Sequence, residues 1–326
     1  MLNIFKNFSP YSVIILFLFA IGFKLQALLH PALPYIDPDQ VAWKGIMRAL
    51  RFVLGNSAFA CTFFALINSF GQALYLNKIA ASQHLYHKAT YLPAVTFLLI
   101  SSLYPSWNYL SAPLFCNWLG LIVLSNTLQL YATTEPRKKL FNIGCFISLA
   151  ILLHFPYIFA IPMLLLALTV LRPFKIAEWI IAMLGIITPV YFLAGILFLT
   201  DNLSLIKEIP ALAVALPGQL DRPAVFLSIV AVFLISCVMG AYYLQTFMSR
   251  MLIQPKKLWG VIIIFSLLSI LAGGITVGKE YNQWLITLPP LALIISNGWL
   301  KEQFRWISNS LFYLMIATLI YIQWFS

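Results

Sequence analysis

The chain has 326 residues, of which 62% are hydrophobic and 9% are charged, and its mean hydropathy is +0.93. A composition this apolar lies far outside the range of soluble globular domains and predicts an integral membrane protein. The formal net charge is +11. In a membrane protein, basic residues first set the orientation in the bilayer, so we expect membrane lipids as partners and no nucleic acid.

Apolar segments follow one another from residue 11 to the C-terminus, and each is expected to cross roughly 30 Å of hydrocarbon as a helix. We predict an all-α polytopic transmembrane bundle of about 11 helices, formed by residues 1–326 as a single integral membrane domain. The first segment is too long for the apolar region of a cleaved signal peptide, so it is expected to remain as helix one. The predicted crossings cover residues 11–29, 52–75, 89–104, 112–132, 140–154, 158–171, 177–199, 224–247, 258–273, 284–299 and 307–325.

The basic residues predict which ends of these crossings face the cytoplasm. Thirteen of the 20 Lys and Arg residues fall in the N-terminal tail and in alternate loops, whereas six fall in the other loops. The positive-inside rule therefore predicts that the N-terminus is inside and the C-terminus outside. The remaining cation, Lys24, lies within the first crossing, where a long side chain can snorkel to the interface. Six of the nine acidic residues fall in the outer loops, which indicates polar chemistry on the outer face.

The first outer loop contains HPALPYIDPDQ at residues 30–40, which holds the acid pair Asp37 and Asp39. An Asp at the N-cap, a Pro in the first turn and a Gln three residues after the cap are typical of a helix start. Apolar residues then recur at helical spacing, while Arg48 and Arg51 belong to a basic stripe on another face. This pattern predicts an amphipathic interfacial helix. A capping role alone would explain Asp37, so a surface helix without further function is the alternative.

One long apolar run, residues 140–171, is interrupted by His-Phe-Pro-Tyr at residues 154–157. Both flanking loops are basic, so the run must cross the membrane and return. Two crossings of about 15 residues each span only about 22 Å. The turn is therefore predicted to lie below the outer interface. Irregular backbone at that depth is tolerated only where it is buried in protein or lines a water-filled cavity. A depression open to the outer side would present His154 and Tyr157.

Two later outer loops also carry polar residues. The loop between the seventh and eighth crossings ends in Asp221-Arg222 and is apolar enough to rest on the outer leaflet or to cover a cavity. The loop between the ninth and tenth crossings places Lys279 and Glu280 among glycines and amides. Such a loop can cradle an anion or can form a solvated turn.

Several classes of function are disfavoured by missing signals. The chain has no P-loop, Rossmann, GxSxG or HExxH motif. No acidic or basic residue other than Lys24 lies in the middle of a crossing, which weighs against an ion-coupled transporter. A carrier that uses helix ends and buried amides remains open, with the amides Asn68, Gln72, Asn117 and Asn126.

The layout of the chain resembles that of the GT-C superfamily of membrane glycosyltransferases. It consists of a short tail, helix one, an outer loop with an acid pair and an amphipathic helix, and then a many-helix bundle. It also looks like a family of uncharacterised bacterial inner-membrane proteins. The GT-C resemblance covers mostly residues 1–200, and the matching motif is IDPDQ in the first outer loop. It implies transfer of a sugar from a polyprenyl-phosphate donor at the outer face of the bacterial cytoplasmic membrane.

The resemblance also implies roles for individual residues. The first-loop carboxylate of GT-C enzymes is a catalytic base or, in some members, a metal ligand, and by position this role falls on Asp37 or Asp39. We favour Asp37. The substrate-binding side chains are expected in the outer loops and the outer turn, namely Arg48, Arg51, His154, Tyr157, Arg222, Lys279 and Glu280.

The chain departs from the superfamily in two respects. Oligosaccharide-transferring members carry a second acidic motif in the next outer loop, which here reads YPSWNYLSAP, and they add a large soluble C-terminal domain. A divalent metal is therefore possible but disfavoured, and we expect no cofactor in a compact monosaccharide transferase. The alternatives are a carrier or flippase for a lipid or envelope precursor and a non-catalytic membrane subunit of an envelope assembly.

Overall fold

A computed structural model describes residues 2–6, 9–34, 41–201, 213–214, 223–276, 281–300 and 305–325. These residues are almost entirely helical, as the apolar composition predicts. The α-helices are α1 (Leu2–Lys6), α2 (Pro10–Phe23), α3 (Leu25–Leu29), α4 (Val41–Leu54), α5 (Ala58–Ser82), α6 (Leu92–Ser101), α7 (Ala112–Leu128), α8 (Pro136–Leu153), α9 (Ala160–Leu171), α10 (Ile176–Leu199), α11 (Pro223–Met248), α12 (Ile253–Gly273), α13 (Leu288–Leu300) and α14 (Arg305–Phe325).

Among the described residues, three connections between these helices form short 3-10 helices, which we call the turn helices. They are Pro105–Asn108 between α6 and α7, Phe155–Phe159 between α8 and α9, and Tyr281–Thr287 between α12 and α13. Two strands of two residues each, β1 (Ala213–Val214) and β2 (Ile275–Thr276), pair antiparallel. A further 3-10 helix, Gln129–Tyr131, extends α7.

Six helices in the described part of the chain are long and apolar enough to cross a membrane. They include residues of α5, α7, α10, α11, α12 and α14, and three shorter apolar helices begin at Tyr11, Leu92 and Phe155. The predicted all-α bundle of apolar helices is therefore confirmed. The interruption of the long apolar run at residues 154–157 is also confirmed, because α8 ends at Leu153 and α9 begins at Ala160.

The predicted start of the second crossing, residue 52, is wrong. Residues 52–54 belong to α4, and the helix that follows begins at Ala58. Two local features separate the helices: Gly55 adopts φ +66°, which glycine accepts without steric cost, and the Ser57 hydroxyl accepts a hydrogen bond from the Ala60 amide at 3.4 Å. Continuous hydropathy conceals a helix end of this kind because both sides of the break are apolar.

The centre of the bundle is formed by two short helices that contact each other, α6 and α13. Every residue of α6 is buried, as is every residue of α13 from Leu288 to Trp299. Helix α6 also packs against α5, and α13 also packs against α11. By contrast, α10 keeps most of its apolar side chains exposed. A helix that is apolar all round and exposed on most sides is what a lipid-facing position requires.

Helices α8 and α10 approach each other through their backbones. A Cβ atom built on Gly144 of α8 would lie 2.9 Å from the Cα atom of Gly185 in α10. Small residues permit this contact, which is typical of helix pairs that pack by van der Waals contact in membranes. The first residues of α8 and of α10 line one pocket, so the two helices start side by side and run parallel.

The bundle has two distinguishable ends. At one end, which we call the basic end, long-range contacts join the predicted inner loops. The contacts are from the Tyr91 amide to the Phe5 carbonyl, from Trp259 to the Leu85 carbonyl and from Arg172 to the Leu130 carbonyl. The three turn helices lie in the alternate connections, at the other end, which we call the turn-helix end. In the described residues from α5 to α13, the connections with these contacts and the connections with turn helices alternate along the chain.

Candidate functional site

Five of the predicted site residues lie outside the described part of the chain. They are Asp37, Asp39, Arg222, Lys279 and Glu280. The two carboxylates proposed from the resemblance therefore remain predictions. The other four predicted residues, Arg48, Arg51, His154 and Tyr157, are described, and they fall into two groups with different surroundings.

The first group is the basic face of α4. Trp43 and Met47, one helical turn apart, are buried, and the Trp43 ring centroid lies 6.0 Å from that of Phe115 near the start of α7. Arg48 and Arg51 are exposed. The amphipathic helix predicted from the sequence is thus present, although its predicted start at Asp37 lies outside the described residues. Its apolar face packs on the bundle, and the cations project away from it.

The second group lies inside the turn-helix end. The Tyr157 hydroxyl, in turn helix 155–159, donates a hydrogen bond to the Asn117 Oδ1 atom of α7 at 2.9 Å. The Asn117 amide in turn donates to the Leu285 carbonyl of turn helix 281–287 at 3.0 Å. Tyr157 and Asn117 are both buried. This short chain of hydrogen bonds fixes two turn helices to α7, and the tyrosine predicted as a substrate contact is therefore also a structural residue.

His154 lies between α8 and turn helix 155–159, and its side chain is buried. Neither ring nitrogen has a hydrogen-bond partner among the described residues. The backbone around it is satisfied, because the His154 amide donates to the Ala150 carbonyl at 2.8 Å. A buried imidazole normally finds at least one partner, since an unpaired buried polar group costs free energy. His154 is therefore a side chain whose bonding capacity the fold leaves unused.

Lys24 is the functional candidate that the sequence reasoning missed. The expectation that it snorkels to the interface is wrong, because its side chain is 1% exposed. Its ammonium donates to the Asn108 Oδ1 atom at 2.9 Å, in turn helix 105–108. Within the described residues no acidic side chain pairs with it. The sequence itself pointed to Lys24, because a single cation inside an apolar segment is by default a candidate functional residue.

The position of Lys24 is produced by a break in the first apolar helix. Helix α2 ends at Phe23 and α3 begins at Leu25, so Lys24 occupies the junction. The side-chain amide of Gln323, in α14, donates to the Phe23 carbonyl that the break leaves free. This contact also places the end of α14 beside the end of α2. The break turns the Lys24 side chain inward toward the turn helix rather than along the helix toward the surface.

The turn-helix end gathers several parts of the chain that are distant in sequence. Turn helix 105–108 contacts turn helix 281–287, which also contacts α7 and α12. The Tyr109 hydroxyl donates to the His30 carbonyl at 2.9 Å, and partial burial raises the pKa of Tyr109, which keeps its proton available for donation. Pairing of Val214 with Ile275 joins the segment before Arg222 to the segment before Lys279.

The functional groups at the turn-helix end are the buried ammonium of Lys24, the imidazole of His154 with two nitrogens that lack partners among the described residues, and the hydrogen-bonded phenol of Tyr157. A cation of this kind attracts an anion, and an imidazole can accept or donate a proton. No group of three or more His, Cys, Asp or Glu side chains with the geometry of a metal site occurs in the described ranges.

The four amides of the carrier alternative are engaged in packing. The Gln72 amide donates to the Leu114 carbonyl at 2.6 Å, and the Asn68 carbonyl oxygen accepts from the Trp118 indole. Asn117 bridges to turn helix 281–287, as described above, and Asn126 donates to the Ile122 carbonyl in its own helix. Three of these amides, Asn68, Gln72 and Asn117, hold α5, α7 and turn helix 281–287 together, and Asn126 bonds within its own helix, so the four favour a structural role over a polar path for a carried solute.

Comparison with known proteins places the chain in a family but assigns it no activity. A family model described as a family of unknown function (DUF6427) matches residues 46–325. No curated protein and no solved structure matches the chain.

Proposed function

The chain belongs to the DUF6427 family of unknown function, and we propose from its own residues that it is a GT-C-like glycosyltransferase. The proposed reaction transfers a sugar from a polyprenyl-phosphate donor to an acceptor hydroxyl at the outer face of a bacterial cytoplasmic membrane. The observation that carries the proposal is the buried Lys24 ammonium, which has no acidic partner in the described residues and lies beside the turn after α6.

The proposed topology has eleven crossings, with the turn-helix end outside and α4 in the outer interface. The charge distribution supports this orientation, because 13 basic residues then lie inside and six outside. The exposed Phe52 beside Arg51 is consistent with a helix at the membrane surface, where apolar side chains reach acyl chains and cations meet headgroups.

Cysteine labelling tests this orientation. In a variant without native cysteines, Ser204→Cys is expected to react with a membrane-impermeant maleimide in intact spheroplasts. Gln254→Cys, at the exposed start of α12, is expected to react only after permeabilisation. The reverse pattern would invert the topology and move the turn-helix end to the cytoplasm, which would remove the outer-face enzyme proposal.

The chemical requirements of the reaction match the residue types at this end. The acceptor oxygen forms a bond to the anomeric carbon as the bond from that carbon to the phosphate oxygen breaks. The acceptor proton passes to a carboxylate, for which Asp37 or Asp39 is proposed, and the electron pair stays on the departing phosphate. Lys24 is proposed to stabilise the charge that develops on that phosphate, with Arg48 and Arg51 attracting the anionic donor to the surface.

Burial of Lys24 strengthens this role. A cation in a poorly solvated site acts on a developing negative charge far more strongly than a surface cation in water. The same burial means that the donor phosphate reaches Lys24 only when the segments that cover it move. Loop opening and closing of this kind is common in enzymes that exclude water from the reaction. His154 is proposed as an additional polar contact to the acceptor.

An in vitro transfer assay with radiolabelled polyprenyl-phosphate sugars tests the catalytic carboxylates. We expect Asp37→Asn to reduce turnover by about 10²- to 10⁴-fold, because a general base that loses its charge no longer accepts the acceptor proton. Asp39→Asn is the matched variant two residues away, and a smaller loss there would assign the base to Asp37.

The outcomes of this assay separate the alternatives. Equal turnover in the wild type and both variants would remove the acid pair from the mechanism. A wild-type protein that moves the labelled lipid between the leaflets of a proteoliposome without transferring the sugar would favour the carrier. A protein that neither transfers the sugar nor moves the lipid, and that co-purifies with an envelope assembly, would favour the non-catalytic subunit.

A further inference from the structure

A pocket of about 480 Å³ opens at the basic end, far along the helices from the turn helices. It lies where α8 begins and where the connection from α9 leads into α10. Four cations line it, Arg137, Lys138, Arg172 and Lys175, together with two carboxylates, Glu135 and Glu178. The pocket therefore carries an excess of positive charge.

One carboxylate of the pocket is already neutralised. The Arg172 Nε atom lies 3.0 Å from the Glu178 Oε2 atom, and both side chains are largely shielded from solvent. The two groups are not aligned for a hydrogen bond, so the contact is an ion pair. Arg172 also donates from Nη1 to the Leu130 carbonyl at 3.0 Å. These two contacts fix the guanidinium in the wall, whereas Arg137, Lys138 and Lys175 are exposed around it.

Two parallel helices begin at the same pocket. Helix α8 starts at Pro136 and α10 starts at Ile176, and neither helix has a side-chain hydrogen bond from its N-cap residue. The first amides of a helix lack partners within the helix, and the helix dipole places partial positive charge there. Because α8 and α10 lie side by side, their positive ends add to the net positive charge of the side chains that line the pocket. Anions bind readily to such sites.

Exposed apolar residues flank one of the cations that line the pocket. Phe174 and Ile176, the chain neighbours of Lys175, are 70% and 65% exposed. Exposed apolar side chains next to cations are the arrangement expected where a protein surface meets lipid headgroups. On the proposed orientation these side chains lie at the cytoplasmic interface.

We propose that the pocket between the starts of α8 and α10 binds the phosphate group of an anionic ligand. Arg172, held by Glu178 and Leu130, provides a preorganised guanidinium whose remaining N–H groups can donate hydrogen bonds to a phosphate. Arg137 and Lys138, which line the pocket at the start of α8, supply further charge. The site is separate from the proposed transferase centre and does not depend on it.

Binding to the purified full-length chain in a neutral detergent tests the proposal. Phosphatidylglycerol is titrated in mixed micelles, with phosphatidylcholine as the zwitterionic control. Inorganic phosphate is titrated alone. In each titration, the amount of retained lipid or the thermal unfolding midpoint of the protein is measured. The variant Arg137→Gln/Lys138→Gln is expected to weaken anion binding by about tenfold, because two cations near the bound phosphate are lost. Both side chains are exposed, so folding should be unaffected.

The matched control is Arg250→Gln/Lys256→Gln, which removes the same charge from exposed positions outside the pocket. We expect its affinity to stay within about twofold of the wild type, since neither side chain lines the pocket and salt screens exposed charges that do not contact the ligand. Saturable binding of phosphatidylglycerol alone identifies a lipid headgroup, and binding of inorganic phosphate as well identifies a site that also takes soluble anions. Equal weakening by both double variants, or no saturable binding of either probe, would overturn the proposal.

Discussion

Replacement of Lys24 by methionine is expected to reduce sugar transfer strongly while leaving the protein folded. A buried ammonium that meets one neutral acceptor costs free energy to desolvate, so the fold does not gain from the charge. If Lys24 stabilises the departing phosphate, its removal should lower turnover by about 10²- to 10³-fold. The transfer assay and the thermal unfolding midpoint in detergent measure the two effects separately.

The double variant Lys24→Met/Asn108→Leu removes both partners of the hydrogen bond. Because replacing both members of a buried polar pair by apolar groups is often neutral or stabilising, we expect its unfolding midpoint to equal or exceed that of the wild type. Lys78→Met removes the same charge from an exposed position of α5 and should transfer sugar normally. Full activity in Lys24→Met would contradict the role of Lys24, and with it the observation on which the proposed function rests.

Gly185→Val is expected to cause the largest loss of stability among single substitutions in α10. A Cβ atom at this position would lie 3.1 Å from the Phe141 Cα atom of α8, with the Phe141 carbonyl also in contact. The obstacle is backbone, which cannot rotate away as a side chain can. Because the added side chain forces the two helices apart, the free energy of unfolding should fall by about 3 kcal/mol or more, as in severe overpacking. Thermal and chemical unfolding in detergent measure this loss.

Gly195→Val is the matched control in the same helix. No atom lies within 4 Å of a Cβ atom built at Gly195, so the added side chain enters open space. We expect the free energy of unfolding to stay within about 0.5 kcal/mol of the wild-type value, as for other substitutions at exposed positions. Equal destabilisation by the two substitutions would mean that valine acts through the helix backbone, and the close contact between α8 and α10 would then not limit stability.

The α8–α10 contact links the two functional hypotheses physically. Helix α8 begins at the phosphate pocket and ends next to His154, so it connects the basic end with the turn-helix end. Gly185→Val is therefore expected to weaken anion binding at the pocket as well, because the starts of α8 and α10 would no longer be held side by side. The Lys24 substitution should leave pocket binding unchanged, which allows the two sites to be tested independently.

The amino-acid sequence determined the local features of this protein. The apolar segments predicted the helices, the helical spacing of apolar residues predicted that α4 is amphipathic, and His-Phe-Pro-Tyr at residues 154–157 marked the interruption between α8 and α9. These features depend on residues a few positions apart, because hydrophobic periodicity and backbone restrictions act over one or two helical turns. The end of α4 at Leu54 was missed because hydropathy does not change across it.

The tertiary structure alone decided which polar groups meet. Lys24 bonds Asn108 across 84 residues, Tyr157 bonds Asn117 across 40, and the walls of the phosphate pocket come from two separate connections. No periodicity in the sequence specifies these pairs, because in an apolar bundle many helix faces are chemically alike. Close backbone approach at Gly144 and Gly185 and the break at Lys24 select one arrangement of those faces, and that arrangement turns a lysine expected at the interface into a buried cation.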